Sequence, residues 1–257
     1  MSASQDTGAG RAVRFAFTDE IINPEGAEGR SHQDEEENQA PPSGNAPPES
    51  GNGLLGLKVR NFGPFVIAQK YELMDGTGSA VWQAAEAMLQ IMTMPQYQGM
   101  LHNRKVLELG AGTGVNALAA AMWSGHVVAT DGDLDSVSLI EENVKQNQLH
   151  LPRPITVRHL EWGNQAQIKG LKHEFGLFDV ILGSDVLFNA IEGPLLVTVY
   201  ELCGVHGIVI LTHTPRETAR ENAILQSFTR YFNMTQSMVT GTNVICTILS
   251  RKVTTYY

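Results

Sequence analysis

Three glycines between two apolar runs constrain this chain more than any other feature: Lys105-Val-Leu-Glu-Leu-Gly-Ala-Gly-Thr-Gly-Val115. Lys105 to Leu109 reads as a buried strand, and Gly110, Gly112 and Gly114 follow at once. Val115 to Trp123 reads as a helix, and Asp131 closes the next apolar run, His126 to Thr130. Strand, glycine turn, helix, strand, acid is the plan of a nucleotide-binding half of a doubly wound sheet. Glycine lacks a Cβ, so the backbone can turn sharply and a ligand can lie against main-chain atoms. A carboxylate at the end of the second strand, about twenty residues on, is placed to accept hydrogen bonds from a ribose diol.

The dinucleotide fingerprint is Gly-x-Gly-x-x-Gly, in which amides at a helix N-terminus hold a pyrophosphate. Here the third glycine falls one residue early, and position 115 is Val. Glu108 sits in the turn region, where it would repel a pyrophosphate and suit a cationic ligand. Both departures favour S-adenosylmethionine (SAM), a nucleoside carrying a sulfonium and an amino-acid tail, over NAD.

The 257 residues, 42% of them apolar, suffice for one sizeable α/β core but not comfortably for two. Residues 1–53 carry three bases against ten acids, a net of −7, and the remaining residues fifteen against seventeen, a net of −2. The acidity therefore belongs to the N-terminal stretch, and the rest has no basic footprint of a dedicated nucleic-acid binder. Cys203 and Cys246 lie in apolar surroundings and make neither a disulfide framework nor a metal pattern, as expected of thiols in a reducing compartment. No apolar run approaches the ~20 residues needed to cross a bilayer, and the start lacks a signal-peptide pattern. The cytosol is the expected compartment, with the nucleus open.

Residues 1–53 read as a flexible acidic extension and residues 54–257 as one folded domain. Asp34 to Glu37 is a run of four acids, and Ala40 to Gly53 is rich in Pro, Gly, Ser and Asn. Within the extension, the apolar patch from Val13 to Ile22 is a candidate segment to fold over a site mouth. Leu57 to Arg60 and Phe65 to Lys70 read as a small β-hairpin around Gly63-Pro64. A helix from about Ala80 to Met94, stopped by Pro95, follows. Another runs from Leu134 to Gln148, with Val137, Ile140 and Val144 as its apolar face. Strand-like runs recur at Ile155 to Arg158, Phe178 to Leu182 and Ile208 to Thr212. Helices are expected between them, at Pro194 to Cys203 and Glu217 to Tyr231. Alternation of this kind implies a parallel sheet covered on both faces. The final pair, Asn233 to Val239 and Thr242 to Ser250, turns at Thr240-Gly241 and makes one strand antiparallel. A dehydrogenase has no need of such an ending; a seven-stranded methyltransferase sheet ends this way.

Five segments in order carry a resemblance over roughly residues 56–250. They are Gly78-Ser-Ala-Val-Trp82, Leu107-Glu-Leu-Gly-Ala-Gly-Thr-Gly114, Thr130-Asp131, Leu160-Glu-Trp-Gly163 and Gly183-Ser-Asp-Val-Leu-Phe188. With them the chain resembles class I SAM-dependent methyltransferases. More narrowly, it is similar to methyltransferase family 16, the branch containing protein-lysine methyltransferases of elongation factors and chaperones. The resemblance implies an α/β fold: a doubly wound, mostly parallel seven-stranded Rossmann-like sheet with a C-terminal antiparallel hairpin. It implies SAM as cofactor, S-adenosylhomocysteine (SAH) as product, and no metal.

It also implies roles for residues. Trp82 should border the cofactor pocket. Gly110, Ala111 and Gly112 should pass beside the methionine part, with Glu108 close to its ammonium. Asp131 should accept from the ribose hydroxyls, and Trp162 should meet the adenine. Ser184 should line the pocket where bulk would block it. Glu161 departs from the Asp usual before this Trp, and Asp133 reads as surface charge. Asp185 and Phe188 occupy the substrate-facing motif, usually Asp-x-x-Tyr, so the missing hydroxyl leaves Phe188 as an apolar wall that cannot hydrogen-bond an amine. Asn189 and His213 are secondary polar candidates, and Arg216 and Glu217 read as opening a helix.

A protein-lysine acceptor heads the readings, in a monomeric enzyme with no membrane and no nucleic-acid partner. A histidine or small-amine acceptor, or a non-catalytic SAM-fold binding protein with an acidic recruiting arm, stays open.

Overall fold

A computed structural model of the chain describes residues 17–18, 57–70, 77–188 and 190–253. The expected alternation is present. Strands β4 (Lys105–Leu109), β5 (His126–Asp131), β6 (Ile155–His159), β7 (Phe178–Ser184), β8 (Cys203–His213), β9 (Phe232–Met238) and β10 (Ile245–Arg251) form one sheet. Its order is β6-β5-β4-β7-β8-β10-β9. β4 to β8 run parallel, and β10 lies antiparallel to both β8 and β9. The strand order reverses direction at β4, between β5 and β7, which opens the crevice at the strands' C-terminal ends.

Period-two alternation divides the core in two. Val106, Val127, Val180 and Ile210 face α1 (Gln83–Met92), α3 (Val115–Ala120) and α4 (Leu134–Asn147). Leu107, Val128, Ile181 and Val209 face α5 (Gln165–Phe175), α6 (Glu192–Leu202) and α7 (Thr218–Phe228). Among the described residues no helix is long and apolar enough to cross a membrane.

Three local expectations are corrected. Pro95 does more than stop a helix. α1 ends at Met92, and Pro95 opens a further helix, α2 (Pro95–Leu101), at a position where its missing N–H costs nothing. The N-terminal hairpin of β2 (Leu57–Phe62) and β3 (Phe65–Lys70) gains a third strand, β1 (Phe17–Thr18), antiparallel to β2. The rest of the Val13 to Ile22 patch lies outside the described residues.

The buried face of α4 is the third correction. Val137 and Val144 are only half-buried, and Asn143 and Asn147 join Ile140 inside. Their amides serve the free edge of β3 at alternate residues. Asn143 Oδ1 accepts Ala68 N–H at 2.8 Å while its Nδ2 donates to Ala68 O at 3.1 Å and Thr113 O at 2.9 Å. Asn147 does the same for Val66, at 2.8 Å in both directions. An i,i+4 pair on the helix thus stands in for a missing strand, and the polar residues are inside because the strand edge needs partners.

Candidate active site

Site construction begins at the glycine turn. Gly110, Gly112 and Gly114 all hold positive φ, at 61°, 56° and 77°. At Gly112 a Cβ would come within 2.8 Å of Gly78 O, so this position needs glycine for both conformation and space. Asp131 ties the turn to the next strand: Oδ2 accepts Gly112 N–H at 2.9 Å, and Oδ1 accepts Asp133 N–H at 3.0 Å. Burial raises its pKa above the usual carboxylate value, with the amides of Asp133, Gly112 and Gly132 opposing.

Around this turn lies a cavity of about 1000 Å³. Of the ten residues expected to form the site, nine line it: Trp82, Gly110, Ala111, Gly112, Asp131, Trp162, Ser184, Asp185 and Phe188. Trp82 stands at the N-cap of α1, after a segment pinned where Val81 N–H meets Gln69 Oε1 at 2.8 Å. The Trp162 indole lies over Gly110, so close that a Cβ there would sit 3.3 Å from the ring. Ser184 accepts from Asn116 Nδ2 at 3.1 Å.

Glu108 is the exception. Leu107 and Leu109 pack on the α5–α7 side, so Glu108 between them points under α3 and is absent from the cavity wall. Among the described residues, both its carboxylate oxygens are buried without a hydrogen-bond partner, as is Asn116 Oδ1. Burial pushes its pKa up to about 8; Ala117 N–H and the Asn116 side chain oppose the rise in part, yet neither reaches hydrogen-bonding geometry.

Asp185 follows β7 with φ at 56°, a left-handed conformation uncommon outside glycine, and its N–H donates to Thr212 O at 2.7 Å. Its carboxylate is shared. Oδ1 accepts Thr214 N–H at 3.0 Å, and Oδ2 pairs with Arg216 Nη2 at 3.0 Å. The same guanidinium stands 4.9 Å from the centre of the Phe188 ring. Arg216 therefore belongs to the cavity and does not merely open a helix, which no local sequence signal reveals, because only the fold brings residues 213–217 beside Asp185.

Asp133 is more than surface charge. It caps α4, accepting Ser136 N–H and Oγ at 2.9 and 2.8 Å, and it lines the cavity. Burial opposes its ionisation, but the Ser136 bonds outweigh that and hold its pKa below the ordinary value. The Asp-x-x-Ser spacing was a legible sign of this cap. His213 is buried outside the cavity wall with Nδ1 unpartnered among the described residues, and desolvation lowers its pKa. Asn189 lies outside the described residues. No metal-binding cluster occurs among the described residues.

Residues 61–234 match the profile of a family described as lysine methyltransferase. The chain belongs to that family. As a member it is a SAM-dependent methyltransferase. Its relatives include Protein N-lysine methyltransferase METTL21A of Xenopus tropicalis, 30% identical over 62% of this chain and 70% of that protein. Protein-lysine N-methyltransferase EFM3 of Chaetomium thermophilum is 32% identical over 55% of this chain and 44% of its own length. EEF1A lysine methyltransferase 3 of Mus musculus is 32% identical over 58% and 61%. The matched stretch thus spans less than two thirds of the latter two relatives. The fold matches N-methyltransferase NodS of Bradyrhizobium japonicum WM9, solved with SAH, at a TM-score of 0.52 and 12% identity over 71% of this chain and 92% of that one.

The family's cofactor fits the residues present. Gly110, Ala111 and Gly112 line the cavity, Asp131 faces it with unused lone pairs, and Trp162 offers a flat ring.

Proposed function

We propose that the protein methylates a lysine side chain of a protein substrate. The observation that carries this reading is a single cavity walled at one part by Gly110, Gly112, Asp131 and Trp162 and at another by Asp185 and Phe188. The relatives named for protein-lysine methylation support the same acceptor.

SAM supplies an electrophilic methyl on a sulfonium, so the chemistry of transfer is the cofactor's. The chain's task is alignment and exclusion of water. Asp131 holds the ribose, Trp162 the adenine, and the turn at Gly110–Gly112 the methionine part. Ser184 keeps the wall small between cofactor and acceptor.

The acceptor must also become neutral. A free lysine resists this by about 4.6 kcal/mol at pH 7. Phe188, without a hydroxyl, walls the acceptor channel with apolar surface, and desolvation there disfavours the ammonium. Asp185 acts in the opposite sense, binding and orienting the cation before its proton leaves.

Incubating purified protein and tritiated SAM with lysate of the source cell, against an Asp131→Ala control, tests the reading. Label in a discrete protein band, lost in the control, is expected. Label confined to small molecules, or none despite SAM binding, would overturn it.

A further inference from the structure

Arg216 places a cation of the chain's own on the two groups assigned above to the acceptor. Its Nη2 donates to Asp185 at 3.0 Å, and its guanidinium carbon lies 4.9 Å from the centre of the Phe188 ring. A carboxylate beside an aromatic face is the recognition chemistry of an alkylammonium. We propose that Arg216 is a specificity-determining residue of the acceptor seat, a resident cation that an incoming acceptor must displace. This rests on the reading of the cavity as a lysine methylation site.

Local construction favours exchange of the side chain with the main chain fixed. Arg216 N–H is held by both oxygens of Glu221, at 3.1 and 3.3 Å, and Glu221 itself is buried. The guanidinium makes one hydrogen bond among the described residues, to Asp185, and the side chain is 35% exposed. Asp185 stays put when that bond breaks, because Thr214 N–H holds its other oxygen. Arg220, the neighbouring cation, is committed to Glu217 and to Ala190 O and does not share the seat.

The resident cation discriminates between acceptors. A lysine arrives as an ammonium and takes over the charge of Asp185 as the guanidinium leaves, so the carboxylate keeps one cation through the exchange, until the acceptor gives up its proton. A neutral imidazole of the same reach would leave that carboxylate, only 12% exposed, without a cation. Selectivity for a cationic alkyl chain therefore lies in Arg216 together with Asp185 and Phe188. Its price is weaker apparent binding, since an acceptor's affinity is reduced by the fraction of time the seat is closed.

The test is an NMR titration of the full-length, SAH-bound protein with n-butylammonium, a lysine side-chain mimic. Arg216→Gln is expected to bind it about tenfold tighter than the unsubstituted chain, as loss of a half-exposed ion pair and cation–π contact implies. Arg216→Lys, which keeps the charge but loses the planar fork, should fall between. SAH affinity should be unchanged in both, and adding Asp185→Asn should remove the gain. Equal or weaker butylammonium binding in Arg216→Gln, with SAH binding and thermal stability retained, would overturn the proposal. If that variant fails to fold, no gain in Arg216→Lys would do so. The readout needs no turnover, so failure to methylate a protein lysine strikes the function proposed above and leaves this result to stand or fall by itself.

Discussion

Gly112 N–H donates to Asp131 Oδ2 at 2.9 Å, so the acid that ends β5 also shapes the turn that follows β4. One carboxylate thereby couples the two halves of the cofactor wall. On the proposed reading Asp131→Ala removes the ribose acceptor, and it frees the turn. SAM affinity by isothermal titration should fall on the order of 100-fold, the loss of two charge-assisted hydrogen bonds. Asp131→Asn keeps an oxygen for Gly112 and should lose less.

Gly112→Ala should be worse than a surface Gly→Ala. A left-handed φ of 56° and a Cβ 2.8 Å from Gly78 O force the backbone to move. A loss of roughly 1–3 kcal/mol in urea unfolding is expected, with SAM binding abolished.

Glu108 makes stability pH-dependent. Its pKa is raised from 4.5 to about 8 by burial. Between those values the folded chain holds the proton and the unfolded chain does not. Its contribution is therefore full below about pH 4.5 and is lost as the pH rises through about 8. Buried His213 titrates in the opposite sense, so the comparison is between variants. The ligand-free chain should lose on the order of a few kcal/mol more than Glu108→Gln between pH 5 and 8 in chemical unfolding. Parallel pH curves for the two chains would contradict this.

Asn143→Leu is close in volume to the residue it replaces, so its effect reports hydrogen bonds. Ala68 would lose partners for both its N–H and its C=O, and Thr113 O would lose one. Destabilisation of about 2–4 kcal/mol is expected from the urea midpoint. A change below about 0.5 kcal/mol would mean that β3 finds partners elsewhere.

Backbone requirements were the legible part of this molecule. Glycines 110, 112 and 114 and the alternating apolar runs mark the turn and the parallel strands, because positive φ and period-two burial leave few residue choices. Trp82 and Trp162 were legible through their motifs and both line the cavity. Asn143 and Asn147 were not, since a polar residue at helical spacing reads as a solvated face until a strand edge is set against it. Arg216 was hidden for a similar reason: its partners Asp185 and Phe188 lie about thirty residues upstream and meet it only across the strand ends. The motif sets Glu108 beside the ligand's ammonium; alternation with Leu107 and Leu109 turns it under α3, outside the cavity wall.

Peptide mass spectrometry of the protein labelled with trideuteromethyl SAM tests the central claim most directly. Trideuteromethyl on a lysine Nζ of one substrate protein, absent with Asp131→Ala, is the expected result. Label on a histidine ring, or on no protein side chain at all, would contradict it.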